Sequence, residues 1–336
     1  MKVLITGANG FLGVRLARRL ADEQHEVRAL VRRMGENPDL QYPGIVEVKG
    51  DVRDSSSLSA AMAGIDQVYH LAALSTDWAA DFRDFYTVNV VGTVNVFKAA
   101  KEAGVSKVLN TSSAGPIGPP DQENIHPVNE DHIRTVDYFI AYESSKAMAD
   151  ERALRFVLDG MHIVTVNPTR VYGPGPLERK NGYLMLIHQY LTKKIAVYPG
   201  FKKQLANFVH IDDIVDGMLL AMEKGKSGQS YLLGGANVTF LDLFAALEKV
   251  TGKHTTTVAI PHWFLGFLAG IAALVSKLNG KAPILTRAWL RKASYSWPVS
   301  SDKAIQELGY APMDYETGIR KTVEWLEAER KAGRIK

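Results

Sequence analysis

The first thirteen residues constrain the fold of this chain more than any other segment. A short apolar run, Val3-Leu4-Ile5, stops at Gly7, and an amphipathic run begins at Phe11. This pattern predicts a strand, a tight turn and a helix, with Gly7, Gly10 and Gly13 at the turn, at the start of the helix and one turn inside it. A turn without Cβ atoms lets the backbone approach a pyrophosphate, and a helix N-terminus offers unpaired N–H groups to phosphates. The segment therefore predicts a dinucleotide-binding site.

Strand-like and helix-like segments alternate through the first half of the chain. After the first strand, the predicted strands cover residues 27–31, 45–49, 67–71, 105–109 and 163–166. Helical patterns between them include residues 57–63, 88–103 and 142–158. This alternation predicts an α/β fold, a Rossmann doubly wound parallel sheet that binds ligands beyond the carboxyl ends of its strands.

The alternation stops near residue 175, where Gly173-Pro-Gly-Pro176 indicates a loop. Phe208-Val-His-Ile-Asp-Asp213 then leads into a predicted helix that ends near Gly225, and residues 230–233 form another predicted strand. We predict a dinucleotide-binding domain of residues 1–175 and 205–236, and a smaller, mostly helical substrate-binding lobe of residues 176–204 and 237–330. We expect His210, Asp212 and Asp213 to stabilise the junction between the two.

Residues 263–275 form an apolar run that is shorter than the ~20 residues needed to span a bilayer. We expect a buried or pocket-covering helix here. An interfacial membrane contact is the alternative, and the helix can form an apolar wall of a substrate pocket in either case.

Composition excludes several classes of function. The net charge of +4 over 336 residues, with dispersed Lys and Arg, predicts no nucleic-acid partner. Nine histidines without cysteine, and without metal-ligand spacing, predict neither a metal site nor a disulfide. Because the first predicted strand starts at residue 2, we expect no signal peptide and a cytoplasmic protein.

Tyr142 and Lys146 are the candidate proton-transfer pair. Residues four apart share one helix face, and a lysine cation near a tyrosine lowers the pKa of the phenol. Tyr190 with Lys194 and Tyr198 with Lys202 have the same spacing but not the same strand-then-helix context. The partner motif Thr111-Ser112-Ser113 follows the predicted strand 105–109, so we expect its hydroxyls in the crevice. A turn or helix-cap cluster is the alternative.

Eight motifs, in order over nearly the whole chain, resemble those of the extended short-chain dehydrogenase/reductase superfamily. The motifs are Thr6-Gly-Ala-Asn-Gly-Phe-Leu-Gly13, Gly50-Asp51, His70-Leu-Ala-Ala73, Asn89-Val-Val-Gly-Thr93, Thr111-Ser-Ser113, Tyr142–Lys146, Asn167-Pro-Thr-Arg-Val-Tyr-Gly-Pro174 and Phe208-Val-His-Ile-Asp-Asp213. The resemblance implies a Rossmann fold with a small C-terminal lobe.

The resemblance also implies roles for individual residues. Tyr142 would donate and accept the proton, Lys146 would bind the nicotinamide ribose, and Ser113 would polarise the substrate carbonyl. Asp51 would contact the adenine, Ala72 and Ala73 would pack near the ribose and phosphates, and Pro168 would lie near the nicotinamide. The full set of predicted cofactor-binding residues is Gly7, Asn9, Gly10, Phe11, Leu12, Gly13, Arg32, Asp51, Val52, Leu71, Ala72, Ala73, Thr111, Tyr142, Lys146, Pro168 and Val171.

The residues after the second strand indicate which dinucleotide is bound. NAD-specific members place an acidic residue there to hold the ribose 2′-hydroxyl. This chain has Val31 at that position, followed by Arg32 and Arg33, whose guanidinium groups suit a 2′-phosphate. We therefore expect NADP(H) rather than NAD(H), with Arg32 as the phosphate ligand. A solvated basic turn is the alternative.

The substrate class is predicted from one missing charge and from the aromatic residues of the lobe. Sugar-nucleotide members that resemble UDP-galactose epimerase carry a diphosphate-binding arginine where this chain has Ala206-Asn207, and the sequence shows no evident replacement. The lobe contains Trp263, Phe264, Phe267, Leu268, Trp289 and Trp297, a layout that resembles dihydroflavonol 4-reductases and 3β-hydroxysteroid dehydrogenases.

We therefore expect an NADP(H)-dependent oxidoreductase that acts on a carbonyl, or on the corresponding alcohol, of a mainly apolar small molecule. A nucleotide-sugar epimerase or dehydratase with tightly held NAD is the alternative enzyme, and a dinucleotide-binding regulator without catalysis is the second alternative. Relatives often pair the helices that match residues 88–103 and 142–158, so we expect a homodimer. A membrane contact is possible on this sequence but not expected.

Overall fold

The structure is a computed structural model that describes residues 1–178, 181–201, 203–283 and 285–335. Its strands are β1 (Lys2–Thr6), β2 (Glu26–Val31), β3 (Ile45–Lys49), β4 (Gln67–His70), β5 (Lys107–Thr111), β6 (Ile163–Pro168), β7 (Arg170–Tyr172), β8 (Ile195–Pro199), β9 (Ala206–His210), β10 (Ser230–Leu233), β11 (Ala236–Val238) and β12 (Thr256–Ile260). Its helices are α1 (Phe11–Asp22), α2 (Ser55–Met62), α3 (Arg83–Tyr86), α4 (Gly92–Glu102), α5 (Ala141–Leu158), α6 (Gly182–Thr192), α7 (Ile211–Lys224), α8 (Phe240–Thr251), α9 (His262–Asn279), α10 (Arg287–Ala293), α11 (Asp302–Leu308) and α12 (Tyr315–Lys331).

Seven of these strands form one parallel sheet in the order β3-β2-β1-β4-β5-β6-β10. The chain runs outward from β1 to β3 and then crosses back to β4 on the other side of β1. This reversal leaves a crevice at the carboxyl ends of β1 and β4, which is where such sheets bind ligands. The predicted doubly wound sheet is confirmed.

The alternation of side chains along β1 places its residues in two separate cores. Val3 and Ile5 are fully buried in the cluster formed with α1, α7 and α11. Leu4 points to the opposite face, where it joins the cluster formed with α2 and α4. Burial on both faces explains why these strands read as continuous apolar runs.

The start of one helix and of one strand near the site differ from the sequence expectation. The helix expected over residues 88–103 begins earlier, with α3, and continues through a π-helical segment, Thr87–Val91, into α4. Strand β5 begins two residues later than expected, because the backbone N–H groups of Val105 and Ser106 bond to Ala100 and Asp66 instead of a neighbouring strand. Thr111 is therefore the last residue of β5.

A third core lies among α6, α8 and α12, around Leu184, Leu243 and Ile319. Strands β8 and β12 pair in parallel beside it. Helix α11 does not join this core, because Ala304 and Leu308 pack into the cluster formed by the sheet and α7. This segment of the predicted lobe 237–330 thus packs on the sheet side, which a helical pattern alone does not reveal.

Candidate active site

The glycine turn after β1 is packed directly against the end of β4. Gly7 has a φ of +72°, and a Cβ added to it would lie 2.7 Å from the backbone nitrogen of Ala72. A Cβ on Gly13 would overlap the carbonyl oxygen of Gly7. Gly10 caps the start of α1, and its N–H bonds to Gly7 O at 2.9 Å. These glycines make a backbone surface without side chains at the crevice, as a pyrophosphate requires.

The other residues predicted from this turn lie around the same surface. Asn9 is exposed in the turn, whereas Phe11 and Leu12 are half-buried in the first turn of α1. Leu71, Ala72 and Ala73 are half-buried immediately after β4. The structure thus brings the predicted residues of β1, α1 and β4 together at one edge of the sheet.

A buried hydrogen-bond chain through His70 holds the turn after β4 in place. The backbone N–H of Ala72 donates to Thr6 Oγ1 at 3.2 Å, and Thr6 Oγ1 lies 2.7 Å from His70 Nδ1. His70 Nε2 lies 2.9 Å from Thr93 Oγ1, which donates to Asn89 O at 2.6 Å. These bonds are mutually consistent when the proton is on Nε2, so His70 is neutral. Burial lowers the pKa of His70 to about 3, with a smaller effect of the Lys146 charge.

Sequence reasoning noted His70 and Thr93 within motifs but assigned no role to their side chains. Their positions before a turn and inside a helix gave no sign that one hydrogen-bond chain joins β1, β4 and α4. The nearest signal was the fully apolar surrounding sequence, in which a histidine must find partners for both nitrogens.

The π-helical segment orients the start of α5. Asn89 Nδ2 donates to Ser145 Oγ at 2.8 Å, and Asn89 Oδ1 accepts the N–H of Leu74 at 2.7 Å. One side chain thus ties the loop after β4 to the residue beside Lys146. π-Helical segments occur often at functional sites, where they re-aim a side chain.

Ser113 and Tyr142 meet at the centre of the predicted catalytic group. Helix α5 begins at Ala141, so Tyr142 lies in its first turn, and its phenol is near enough to the Ser113 side chain for Ser113 to affect its pKa. Burial raises the pKa of Tyr142 to about 12, and Ser113 offsets part of this. The expectation that Lys146 lowers this pKa is wrong for the structure, because burial dominates and the groups that shift it do not include Lys146. The phenol therefore holds its proton at neutral pH.

Lys146 lies one turn further along α5 and is almost fully buried. Its Nζ has no hydrogen-bond partner among the described residues. Burial lowers the pKa of Lys146, while the nearby Asp150 carboxylate raises it. Asp150 is held in turn by Ser112 Oγ at 2.5 Å and Asn110 Nδ2 at 3.1 Å.

The unpaired polar atoms show that this edge fits a dinucleotide. A buried ammonium without a partner is costly, and ribose hydroxyls are acceptors that would satisfy Lys146. Thr111 Oγ1, at the end of β5, is likewise buried without a partner in the described part of the chain. Together with the side-chain-free surface at Gly7 and Gly13, these atoms match the ribose and phosphate groups of such a cofactor.

Asp51 and Arg32 lie near each other beyond β2 and β3. Asp51 makes a close ion pair with Arg53, in which Arg53 Nη2 lies 2.6 Å from Asp51 Oδ2. This contact lowers the pKa of Asp51, and the charge of Arg32 lowers it by a smaller amount. Arg33 is paired with Glu36 at 2.9 Å. Arg32 is exposed and makes no ion pair with any residue that the structure describes. Of the two arginines, Arg32 is thus the one free to bind a ligand.

The remaining predicted residues are structural neighbours of the crevice. Val52 is buried against Gly92 at the start of α4. Pro168 ends β6, and its carbonyl oxygen accepts the N–H of Ala114 at 3.0 Å. Val171, in β7, lines the cavity described below.

Of the two other Tyr–Lys pairs, the one at Tyr190 is used for packing, and the one at Tyr198 lies partly outside the described residues. The Tyr190 hydroxyl donates a hydrogen bond to the carbonyl oxygen of Lys253 at 2.7 Å, inside the lobe core. Tyr198 is buried at the end of β8, and Lys202 lies outside the described residues.

A cavity of about 1270 Å³ separates the sheet edge from the lobe. Its wall is largely apolar and aromatic, with Tyr183, Leu186, Phe208, Phe240, Trp289 and Tyr295 among the lining residues. Tyr295 also packs in the cluster that contains Tyr142. The cavity wall is therefore continuous, through Tyr295, with the packing around the candidate catalytic tyrosine, and Trp78, after β4, lines the cavity on the sheet side.

Charged side chains also line this cavity. Arg170 is open to the cavity but has protein around the rest of its side chain. This desolvation lowers the pKa of Arg170 to about 10, and the Asp77 carboxylate offsets part of the lowering. Burial raises the pKa of Asp77, whereas the positive charges of Lys292 and Arg170 lower it by a smaller amount. Lys292 bonds to Glu143 at 2.9 Å, beside Tyr142. The sequence shows no evident replacement for the missing arginine, and in the structure β7 brings one further cation, Arg170, to the cavity wall.

The six large apolar residues noted in the lobe sequence divide into two groups. Trp289 lines the cavity, and Trp297 packs behind Tyr142 against Phe139. The other four, Trp263, Phe264, Phe267 and Leu268, lie exposed on α9. The expectation of a buried or pocket-covering helix is therefore wrong for α9, since only 11% of it is buried.

Similarity to known proteins agrees with this geometry. The family model described as the NAD dependent epimerase/dehydratase family matches residues 3–234. A protein of Synechocystis sp. provisionally named a dihydroflavonol 4-reductase is 29% identical over 96% of this chain and 94% of its own. The 4-hydroxy-2-methyl-3-oxo-4-farnesyl-3,4-dihydroquinoline-1-oxide ketoreductase of Stigmatella aurantiaca is 30% identical over 99% of this chain and 97% of its own.

Among solved structures, the crystal structure of gox2253 matches with a TM-score of 0.78 and 30% identity, covering 99% of both chains. The resemblance that the motifs carry is thereby confirmed over the whole chain. This chain belongs to the NAD-dependent epimerase/dehydratase family, the extended branch of the short-chain dehydrogenases/reductases, whose members are enzymes acting on carbonyl and hydroxyl groups.

Proposed function

We propose that the protein is an NADP(H)-dependent oxidoreductase that reduces the carbonyl group of a mainly apolar ketone or aldehyde, or oxidises the corresponding alcohol. The observation that carries this proposal is the placement of Tyr142 beside Ser113, in the packing cluster that Tyr295 shares with the wall of a large, mostly apolar cavity. The ketoreductase of Stigmatella aurantiaca, whose named substrate carries a farnesyl group, supports an apolar ketone.

Each residue of the site has a role in this reaction. When bound, the nicotinamide supplies the hydride to the carbonyl carbon. Tyr142, protonated at neutral pH because burial raises its pKa to about 12, gives its proton to the carbonyl oxygen. Ser113 donates a hydrogen bond to the same oxygen as negative charge develops, an effect typically worth a few kcal/mol. Lys146, whose buried Nζ has no partner in the described part of the chain, would hold the ribose hydroxyls.

NADP(H) is favoured over NAD(H) by the charges beyond β2. Val31 is buried where an acidic residue would repel a 2′-phosphate, and Arg32 follows it as an exposed guanidinium. Arg53 is less free to bind a phosphate, because two of its guanidinium nitrogens, Nε and Nη2, donate hydrogen bonds to Asp51. A planar guanidinium binds phosphate oxygens in pairs, which gives discrimination between the two cofactors.

Arg170 indicates one polar group on an otherwise apolar substrate. It is a cation in the cavity wall, near Phe208 at 5.8 Å and balanced only in part by Asp77. A substrate oxygen, either a carboxylate or a second carbonyl, would find a donor there. The rest of the cavity would take the apolar body.

The nucleotide-sugar alternative is weakened at the position of the missing arginine. Asn207 Oδ1 accepts hydrogen bonds from Thr169 Oγ1 and Gly235 N, and its Nδ2 donates to Asn237 Oδ1 at 2.8 Å. The Asn207 side chain is 2% exposed, and both its amide oxygen and its amide nitrogen make hydrogen bonds within the protein. It therefore offers nothing to a diphosphate.

The first test is a titration of the purified protein with NADPH and NADH, followed by nicotinamide fluorescence. We expect an empty, exchangeable site that binds NADPH at least tenfold more tightly than NADH, with the preference reduced in Arg32→Ser. Protein that retains NAD and does not exchange it would overturn the reductase proposal in favour of an epimerase.

The second test is the Tyr142→Phe variant with an active ketone. We expect turnover to fall by a factor of roughly 10² to 10⁴, while NADPH affinity changes little, because only the acid is removed. Turnover close to that of the wild type would remove Tyr142 from the mechanism.

A further inference from the structure

Helix α9 presents a continuous apolar face to solvent. Eight large apolar side chains on it are exposed, and the highest values are 82% for Leu278, 74% for Trp263 and 61% for both Phe267 and Leu274. At about 100° per residue, all eight fall within an arc of about 140°. They form one surface about 22 Å long, at 1.5 Å rise per residue. We call these eight residues the α9 face.

The opposite side of α9 attaches it to the lobe. Leu265 and Ala269 are buried against Phe201 and Leu290 in a small core of their own. The helix has 18 residues and passes a test of length and composition for a membrane span. Because one side is packed onto α10 and the loop after β8, it can lie along a membrane surface but not cross the membrane.

The stretch of sequence that contains α9 carries charges of one sign only. Residues 249–301 contain seven Lys and Arg and no Asp or Glu. Of these, Lys277, Lys281 and Arg287 are exposed and have no carboxylate partner in the described ranges. An apolar face bordered by free cations is complementary to anionic headgroups over an acyl interior, and a soluble protein rarely leaves such a patch uncovered.

The α9 face also lies next to the cavity. The segment that connects α9 to α10 lines the cavity through Ala282, Leu285 and Thr286, and Trp289 of α10 continues this wall. A surface that touched the α9 face would therefore lie close to this part of the cavity wall.

We propose that the α9 face docks the protein on the surface of an anionic lipid bilayer, with Lys277, Lys281 and Arg287 at the headgroups. This docking goes beyond the proposed reaction and does not depend on it. The predicted dimer contact involves the separate surface of α4 and α5.

Vesicle flotation of the full-length protein tests the proposal. One set of vesicles is phosphatidylcholine alone, and the other contains about one-third phosphatidylglycerol. We expect the protein to float with the anionic vesicles at low salt, at least tenfold more than with the neutral ones, and to be released in part by high salt.

Two double variants separate the α9 face from general surface hydrophobicity. Leu274→Asp/Leu278→Asp should reduce binding at least tenfold, since the two side chains are 61% and 82% exposed and contribute apolar burial only on docking. Phe82→Asp/Ile133→Asp alters side chains that are 60% and 82% exposed elsewhere and should bind as the wild type does. NADPH affinity serves as the folding control for both.

Three outcomes would overturn the proposal: no binding to anionic vesicles, equal loss in both double variants, or a dimer that only Leu274→Asp/Leu278→Asp converts to a monomer. The last would assign the α9 face to a second copy of the chain. None of these outcomes affects NADPH binding or the loss of turnover in Tyr142→Phe, so failure here is distinguishable from failure of the proposed reaction.

Discussion

The crevice at the sheet edge and the cavity under the lobe are adjacent but built differently. At the crevice, backbone meets backbone without room for a methyl group, as Gly7 and Gly13 show, and the buried His70 has partners on both nitrogens. In the cavity, water reaches Arg170 and Asp77, whose charges are balanced only in part. Beyond the cavity, the α9 face is open to solvent.

This difference teaches which parts of the ligand each region recognises. A tightly packed backbone surface suits a group of constant shape, such as a pyrophosphate, and tolerates almost no substitution. A roomy cavity with few, loosely paired charges suits a substrate that differs between relatives, because its residues can change without disturbing a core. Substitutions in the two regions should therefore have effects of different kind and size.

The largest contrast is expected between two glycine-to-alanine changes in helices. In Gly13→Ala the new methyl group would overlap the Gly7 carbonyl oxygen, so the turn must shift. We expect at least a 100-fold loss of NADPH affinity, and destabilisation of about 3 kcal/mol or more in urea unfolding. Gly266→Ala, on α9, has nothing within 4 Å of its new methyl group and should stabilise the protein by up to about 1 kcal/mol. Normal NADPH affinity in Gly13→Ala would show that the crevice is less rigid than its packing indicates.

A smaller but still large loss is expected at His70. His70→Leu leaves the hydroxyls of Thr6 and Thr93 without their ring partner in a fully buried place. We expect destabilisation of about 2–4 kcal/mol, together with weaker NADPH binding, because Ala72 loses its anchor. Unfolding by urea and NADPH titration measure the two effects separately.

The pH dependence of this loss identifies its cause. Burial lowers the pKa of His70 to about 3, below the value of about 6.5 in the unfolded chain. The stability due to neutral His70 is thus present above pH 6.5 and is lost as the pH falls toward 3. The difference in free energy of unfolding between wild type and His70→Leu should decrease by about 1–2 kcal/mol from pH 7 to pH 5. A constant difference would mean that packing alone accounts for the loss.

The sequence predicts the crevice better than the cavity for a physical reason. Gly7, Tyr142 and Lys146 act through local geometry, a turn or one helix face, so their spacing along the chain carries the information. Arg170 enters the cavity because β7 leaves the central sheet, and α9 is exposed because only Leu265 and Ala269 find partners. The position of Arg170 and the exposure of α9 depend on tertiary packing, which cannot be inferred from hydrophobic content or from the spacing of residues. The raised pKa of Tyr142 likewise depends on burial, which the Tyr–Lys spacing does not reveal.

Removing the cation in the cavity should affect substrate and not cofactor. In Arg170→Leu we expect the KM for a ketone with an acidic or second carbonyl group to rise about tenfold, since one charge-assisted hydrogen bond is lost. NADPH affinity should stay within a factor of two of the wild type, roughly the precision of such titrations. Arg155→Leu, an exposed arginine of α5 that pairs with Glu151, serves as the control and should change neither. An unchanged KM in Arg170→Leu would remove the polar group from the proposed substrate.

The smallest expected effect lies at Asp213, where α7 meets the segment before α12. Asp213 is 6% exposed, and its Oδ2 accepts the N–H of Met313 at 3.2 Å. Burial raises the pKa of this carboxyl to about 6, above its usual value of 3.8, so the folded state holds the proton more tightly than the unfolded chain does. The resulting stability is fully present below about pH 4 and is lost as the pH rises through 6. Asp213→Asn keeps the acceptor without the charge and should therefore be more stable than the wild type by about 1 kcal/mol at pH 8, and by almost nothing at pH 4. Urea unfolding at the two pH values measures this difference, and an equal gain at both would show that the charge of Asp213 is already compensated in the folded protein.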